Sequence, residues 1–273
     1  MEYPKITHLY KYYSYNSNSL SVLINKKVWF SKPASLNDPF DLGIDFINNI
    51  DSNDFRYMIE TCKNQPCISS ERKQELDKIG KIESISPDQV ALSESWEEAN
   101  NKLRNDLRNS GVFCMSELNN NILMWSHYAD CHKGFCVEFI RNQNNLLGDL
   151  NVTNPVTYSC SFPSPSPFSD EGRNSFFDDL FLTKSKDWAY EKEWRLINEE
   201  GDIPLPFQGY ISAIIFGLKM SSRHKKTIRN IFAGNPNIIY KQAEKVPHSF
   251  TLKIVECESN KANSADEKNS AAD

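Results

Sequence analysis

Two carboxylates and a guanidinium at every second position, Glu191-x-Glu193-x-Arg195, are the residues of this chain whose types and spacing best suit chemistry. In a strand from Glu191, alternation puts Glu191, Glu193, Arg195 and Ile197 on one face and Lys192, Trp194 and Leu196 on the other. Burying such charges is costly unless they are paired or used. A solvated face with a Glu–Arg pair is the plainer alternative. Three more polar clusters have the same double character. Lys11 lies among Tyr10, Tyr12 and Tyr13, where it can hold a ligand or snorkel from a strand end. Ser31-Lys32 precedes Asn37-Asp38-Pro39, a turn in which Asn and Asp side chains bond nearby backbone. Trp125-Ser126-His127-Tyr128, with Asp130, offers either a base that titrates near neutral pH or a core histidine.

The residues by themselves leave several functions open. In a phosphodiester hydrolase or nuclease, His127 would be the general base, oriented by Asp38 or Glu193, with Arg195 or Lys186 on a phosphate. A Cys–His nucleophile pair would join Cys114 or Cys131 to His127, although no spacing supports it. In a non-enzymatic ligand-sensing or protein-binding module, the clusters would hold a ligand or lock the fold through a buried hydrogen-bond network. The chain has no Gly-rich phosphate loop, no Gly-x-Ser-x-Gly elbow and no His-Glu-x-x-His. Cys62-x4-Cys67 and Cys131-His132-x3-Cys136 lack the paired knuckles of a structural zinc site, so no metal is expected.

The elements that must position these groups follow from pattern. Residues 6–13 read as a strand, 19–26 as a helix, and 27–31 as a second strand closed by Lys32-Pro33. A polar helical stretch, about 51–109, reads as an insertion, with Asp51 or Ser52 as one cap and Ser86-Pro87 as another start. Strands are expected at 111–116, 135–140 and 155–159, and a short helix at 122–129. Residues 162–169 read as a Pro/Ser-rich loop and 176–182 as a helix. The apolar run 211–218 is the best central strand. A basic helix at 221–233 and strands at 237–242 and 249–256 complete the core. The fold class is α+β, with a mixed or antiparallel β core flanked by helices. We expect one domain over 1–258, and a disordered tail over 259–273.

At 273 residues, with 39% hydrophobic and 25% charged residues, the chain can bury a large core and suits a soluble enzyme or binding protein. Its net charge of −5 argues against bulk, non-specific nucleic-acid binding and leaves room for a local basic groove. No apolar run approaches the roughly 20 residues of a membrane span. No membrane is expected from that absence, and seven cysteines, an odd number, argue against a disulfide framework, so a cytoplasmic location is expected.

Taken in order, Leu9-Tyr10-Lys11-Tyr12, Val28-Trp29-Phe30-Ser31-Lys32-Pro33 and Leu36-Asn37-Asp38-Pro39-Phe40-Asp41 resemble a bacterial family, domain of unknown function twenty-nine seventy-one. So do Met124-Trp125-Ser126-His127-Tyr128-Ala129 with Lys133-Gly134-Phe135, and Lys186-x-x-x-Tyr190-Glu191-x-Glu193-Trp194-Arg195. The order is more distantly similar to the ADP-ribosyltransferase superfamily. That resemblance implies an NAD-dependent, ADP-ribosyltransferase-like enzyme, a toxin or defence effector, with NAD as substrate and a protein or nucleic-acid acceptor. Glu193 would stabilise the oxocarbenium-like state of the nicotinamide–ribose cleavage. It further implies Glu191 positioning the acceptor and Ser31 orienting ribose and glutamate, while His127 is the catalytic candidate of the hydrolase reading. Lys11, Tyr12, Asn37, Asp38, Trp125, Tyr128 and Arg195 would then line the nucleotide site.

Overall fold

Alternation, capping and turn chemistry account for most of the elements in the computed structural model, which describes residues 3, 5–42, 74, 94–163, 179–207 and 210–257. In chain order they begin with β1 (His8–Tyr13), α1 (Ser17–Asn25), β2 (Lys27–Phe30), α2 (Glu94–Asn109), β3 (Gly111–Ser116) and α3 (Ile122–Tyr128). Next come β4 (Phe135–Ile140), β5 (Thr153–Pro155), β6 (Thr157–Ser159), β7 (Thr183–Ser185), β8 (Glu193–Asn198) and β9 (Ile203–Pro206). The last are β10 (Ile211–Phe216), α4 (Ser222–Ile231), β11 (Ile239–Lys245) and β12 (Leu252–Glu256). The chain is α+β, with mostly antiparallel pairing and a few flanking helices. No helix among the described residues is long and apolar enough to cross a membrane.

The chain divides into two compact units. The first holds Met1–Pro4, Lys26–Glu117 and Asn142–Gln208; the second holds Lys5–Asn25, Leu118–Arg141 and Gly209–Asp273. In the first, β8 is the middle strand, antiparallel to β3 on one side and β5 on the other. Pairs β2–β9 and β6–β7 accompany it. Its apolar core includes Leu42, Leu107, Val112, Leu180, Phe181 and Leu182. Gly111 is required there, because a Cβ would press on the Glu200 carbonyl and Phe30.

In the second unit the strand order is β12-β11-β10-β4-β1. β10, the apolar run, is central, and its last four residues are buried. The β10–β11 pair is parallel and is joined through α4. Register places Tyr10 beside Glu138 and Tyr12 beside Cys136, and Lys11 beside Val137. Leu9 and Tyr12, which point to opposite faces, are both buried, so both faces of β1 are covered.

Several boundaries differ from the sequence reading for local reasons. The helix expected from residue 19 starts at Ser17, because Asn16 accepts from the Ser19 N–H at 2.9 Å and caps it. It ends where Lys26 turns left-handed, with φ 52°. The expected strand 155–159 is two strands in different sheets, β5 and β6. Within the polar stretch 51–109, residues 51–73 and 75–93 lie outside the described residues, and so do their two expected helix starts. Residues 164–178 and the 259–273 tail also lie outside them.

Candidate functional site

Five charged side chains meet in the interior of the first unit. Arg195 Nη2 holds both oxygens of Asp41 at 2.8 and 2.7 Å, Arg195 Nε donates to Glu193 Oε1 at 2.7 Å, and Nη1 donates to the Phe181 carbonyl at 2.6 Å. Lys184 Nζ donates to Glu191 Oε2 at 2.7 Å and Glu193 Oε2 at 2.8 Å, and lies 3.5 Å from Asp41 Oδ2. No side chain of the five is more than 4% exposed. The plainer alternative of a solvated Glu–Arg face therefore fails, and shared ion pairs make the burial possible.

Each member is delivered by a local device. The Asn37-Asp38-Pro39 turn forms as expected: Asp38 Oδ1 accepts from the Phe40 N–H at 2.9 Å, and its carbonyl accepts from the Asp41 N–H at 3.1 Å. That turn presents Asp41. Lys184 comes from the middle of β7, and its ammonium also sits 5.1 Å from the Trp188 ring. Glu191 is not on the strand, contrary to the alternation reading. It ends a 3-10 helix, Lys186–Glu191, and Lys192 breaks the run in the left-handed region at φ 46°. Glu191 still reaches the cluster, because Ser116 Oγ fixes its carbonyl at 2.5 Å and Lys184 takes its carboxylate. The Glu193 N–H donates to the Tyr158 hydroxyl at 2.8 Å.

Burial alone would favour neutral Glu193, but Arg195 and Lys184 together outweigh it and hold the carboxyl well below the usual carboxylate range. Lys184 and Arg195 behave reciprocally. Burial opposes their charge, and the carboxylates of Glu193 and Asp41, with Glu191 for Lys184, raise both above their ordinary values. Tyr158 is raised mainly by burial, with Glu193 and Glu191 adding to it. The cluster sets three carboxylates against two cations, and each cation bridges more than one carboxylate.

Residues 124–196 match the family described as Protein of unknown function (DUF2971). Among curated proteins and among solved structures, nothing matches the chain. The DUF2971 match includes Lys184, Glu191, Glu193 and Arg195, and leaves out Asp41 and the Leu9–Tyr12 and Val28–Asp41 motifs. The family's description names no activity, so chemistry has to be read from geometry.

Beside the network lies a cavity of about 840 Å³. Phe181, whose carbonyl Arg195 holds, lines it with Leu182 and Ile197. Amides ring it, from Asn109, Asn151, Asn154 and Asn198, together with the carboxylates of Asp106, Glu199 and Glu200. Among the described lining residues none is a Lys or Arg.

The remaining residues singled out from sequence are placed as follows. Ser31 is a backbone bridge, exchanging bonds with Val112 at 3.0 and 2.9 Å. Asn37 is exposed, and Asp38 serves its turn. In the second unit, Tyr12 is buried, donates to the Leu118 carbonyl at 2.6 Å and meets Trp125 edge-on. Trp125 is fully buried, with its indole N–H on the Asn119 carbonyl at 2.8 Å. These two are packing anchors. Lys11 and Tyr12 point to opposite faces of β1, while His127 is exposed on α3 with its ring 6.2 Å from Tyr128.

Two polar features of the DUF2971 segment escaped the sequence reading. Glu138 is buried on β4, accepting from Ser212 Oγ and Lys241 Nζ, each at 2.7 Å. The adjacent Tyr10 phenol is pushed up to about 12 by burial and by Glu138. Glu138 lies on the opposite face of β4 from Phe135, Val137 and Phe139, and it is buried because both faces of this sheet are covered. The other feature is Asp130-Cys131-His132, three consecutive left-handed residues at φ 45°, 51° and 71°. Each costs roughly 1–2 kcal/mol for an L-residue.

The hydrogen bonds around that turn fix a tautomer. Ser126 Oγ donates to the Ile122 carbonyl at 2.8 Å and lies 3.2 Å from His132 Nε2, so the ring donates to Ser126 and leaves Nδ1 as a bare acceptor. Nδ1 is buried with no partner. Burial and Lys219 lower the His132 pKa. The unfolded chain therefore takes up a proton first, and the stability contributed by neutral His132 is complete above its ordinary pKa and declines as pH falls below it. Urea midpoints should drop between pH 8 and pH 5 by more in the native protein than in His132→Gln. Parallel declines would show that His132 plays no such part.

Proposed function

We propose that the chain is a ligand-binding module whose site is the cavity of the first unit, with the buried charge network as the rigid wall behind it. The observation that carries this reading is the described lining: apolar side chains, four amides and three carboxylates, with no cationic residue among the described residues. Amides orient a ligand without demanding charge, and the carboxylates repel anions. The ligand class is a small, uncharged or cationic organic molecule with a flat or apolar part. Thermal melting with nicotinamide, adenosine and agmatine, compared with AMP and ADP-ribose, tests it. A neutral or cationic compound at about 100 times its Kd should raise Tm by several degrees, and Asn154→Leu should remove the shift while leaving the free protein's Tm unchanged. Shifts from the anionic compounds alone, or an undiminished shift in Asn154→Leu, would refute the assignment.

One observation favours a second reading, NAD-dependent ADP-ribosyl transfer: Glu191 and Glu193 share the Lys184 ammonium in a dry interior. Glu193 would stabilise the oxocarbenium-like state and Glu191 would position the acceptor. Both Glu193 oxygens are already engaged, so Lys184 and Arg195 would have to yield one on binding. Release of nicotinamide from NAD, lost in Glu193→Gln, supports this reading. No release, and no change of melting with NAD, dismisses it.

A further inference from the structure

The chain's net charge of −5 conceals a separation of charge between its units. Residues 5–25, 118–141 and 210–257, the described part of the second unit, carry twelve Lys and Arg against four Asp and Glu. All five histidines are there as well. The rest of the chain holds the excess acid.

Topology gathers part of this charge at one end of the sheet. Because β10 and β11 run parallel, and β10 and β1 pair with β4 so that Phe216 and Tyr13 flank Phe135, four connections emerge together. They are the end of β1, the left-handed turn before β4, the loop into α4 and the β11–β12 hairpin. Bonds tie two of them: the Lys219 N–H donates to the His132 carbonyl at 2.9 Å, and the Gly217 N–H to the Gly134 carbonyl at 2.9 Å. In β-α-β units, ligands collect beyond the carboxyl ends of the strands, and this is that end.

Lys133, Lys219, Arg223 and Lys245 are all exposed here, and His248 with them. The opposing acids are few. Asp130 lies 3.8 Å from Lys133, and Glu244 is occupied by Lys253 at 3.1 Å. Phe250, at the hairpin tip, is 96% exposed, and Tyr15 stacks on His224 at 3.7 Å. Cations spaced along an edge suit a phosphodiester backbone, and an exposed ring among them suits a base that is free to stack.

We infer that this end of the second unit binds single-stranded nucleic acid, with Lys133, Lys219, Arg223 and Lys245 along the phosphates and Phe250 against a base. A duplex would hide the bases from Phe250, which is why the single strand is assigned. The inference concerns the unit that lacks the ligand cavity, so it stands or falls separately, and Asn154→Leu should leave it untouched.

Fluorescence anisotropy of a labelled oligouridylate, titrated with the full chain from about 0.05 to about 0.2 M salt, tests it. Binding should weaken steeply with salt. The charge reversal Lys219→Glu/Arg223→Glu/Lys245→Glu should weaken it by about 10-fold or more and flatten the log–log salt slope by about 2. Phe250→Ala should cost on the order of 10-fold for the single strand and little for a blunt duplex. Lys102→Glu, in the first unit, should bind as the native protein does. Should the triple variant melt early, Lys219→Glu and Arg223→Glu are measured singly, each expected to flatten the slope by about 0.7. The inference is overturned by no binding at low salt, by charge reversal without effect, or by phosphatidylserine vesicles or duplex bound as tightly as oligouridylate.

Discussion

Arg195→Met should destabilise the protein by about 3–5 kcal/mol and lower the melting temperature by on the order of 10 °C. The side chain is fully buried and makes four bonds, two to Asp41, one to Glu193 and one to the Phe181 carbonyl. Methionine fills much of the same space, so the loss reports charge and hydrogen bonding more than packing. What remains is two carboxylates and a carbonyl in the interior without their donor, which is why the cost of removal exceeds the net worth of the pairs. Arg195→Met combined with Glu193→Leu should recover part of the loss, since it deletes an uncompensated charge. Scanning calorimetry measures both, with the change confined to one transition if the two units unfold separately. A shift of about 1 °C or less would mean that the network contributes nothing to holding the first unit together.

Lys184→Met should change the pH dependence of stability as well as its size. In the native protein Glu193 has a carboxyl pKa below its usual 4.5. Its contribution is therefore complete above that value and is lost as pH falls through the lowered one. Lys184 Nζ is the group that Glu191 and Glu193 share, at 2.7 and 2.8 Å. Without it the two carboxylates face each other, one of them takes up a proton well above pH 4.5, and acidification relieves the repulsion. The variant should be weaker by about 3 kcal/mol at pH 8 and gain stability as pH falls toward 5, opposite to the native trend in that range. Urea midpoints across that range distinguish the two. A variant curve parallel to the native one would show that the carboxylates were never coupled through Lys184.

The network also explains why a cavity of this kind can keep its shape. Arg195 clamps the Phe181 carbonyl, and Phe181 and Ile197 form part of the cavity wall. A loosened network should therefore weaken ligand binding along with stability. Asn154→Leu reduces this ambiguity, because it removes none of the clamp's hydrogen bonds, although Asn154 faces Arg195 across the β5–β8 pair.

Much of the candidate site was legible in the chain. Glu191, Glu193 and Arg195 were grouped by spacing, and all three do converge. The reason assigned to Glu191 was wrong in detail: it enters from a 3-10 helix, since Lys192 turns left-handed and interrupts the alternation. The turn at Asn37-Asp38-Pro39 was also readable, because Asx chemistry is local. Asp41, which that turn presents, could not be assigned, since its partner Arg195 is 154 residues away and no periodicity links them. Lys184 stood beside the motif in sequence but gave no sign that its ammonium would lie between two glutamates. Glu138 and the Ser126–His132 bond were missed for related reasons: coverage of both sheet faces and a left-handed turn are products of packing.

What the amino-acid sequence determined alone was local: which segments alternate, which residues cap, where Pro and Asp force turns, and which charges share a stretch. Those choices depend on neighbours within a few residues, so they survive without a fold. Tertiary structure decided two things that composition obscures. It made a charged strand face into a sealed five-member network, because burial depends on what the rest of the chain lays over it. It also sorted the charge, since a sum over 273 residues is acidic while the segments that assemble into the second unit are basic.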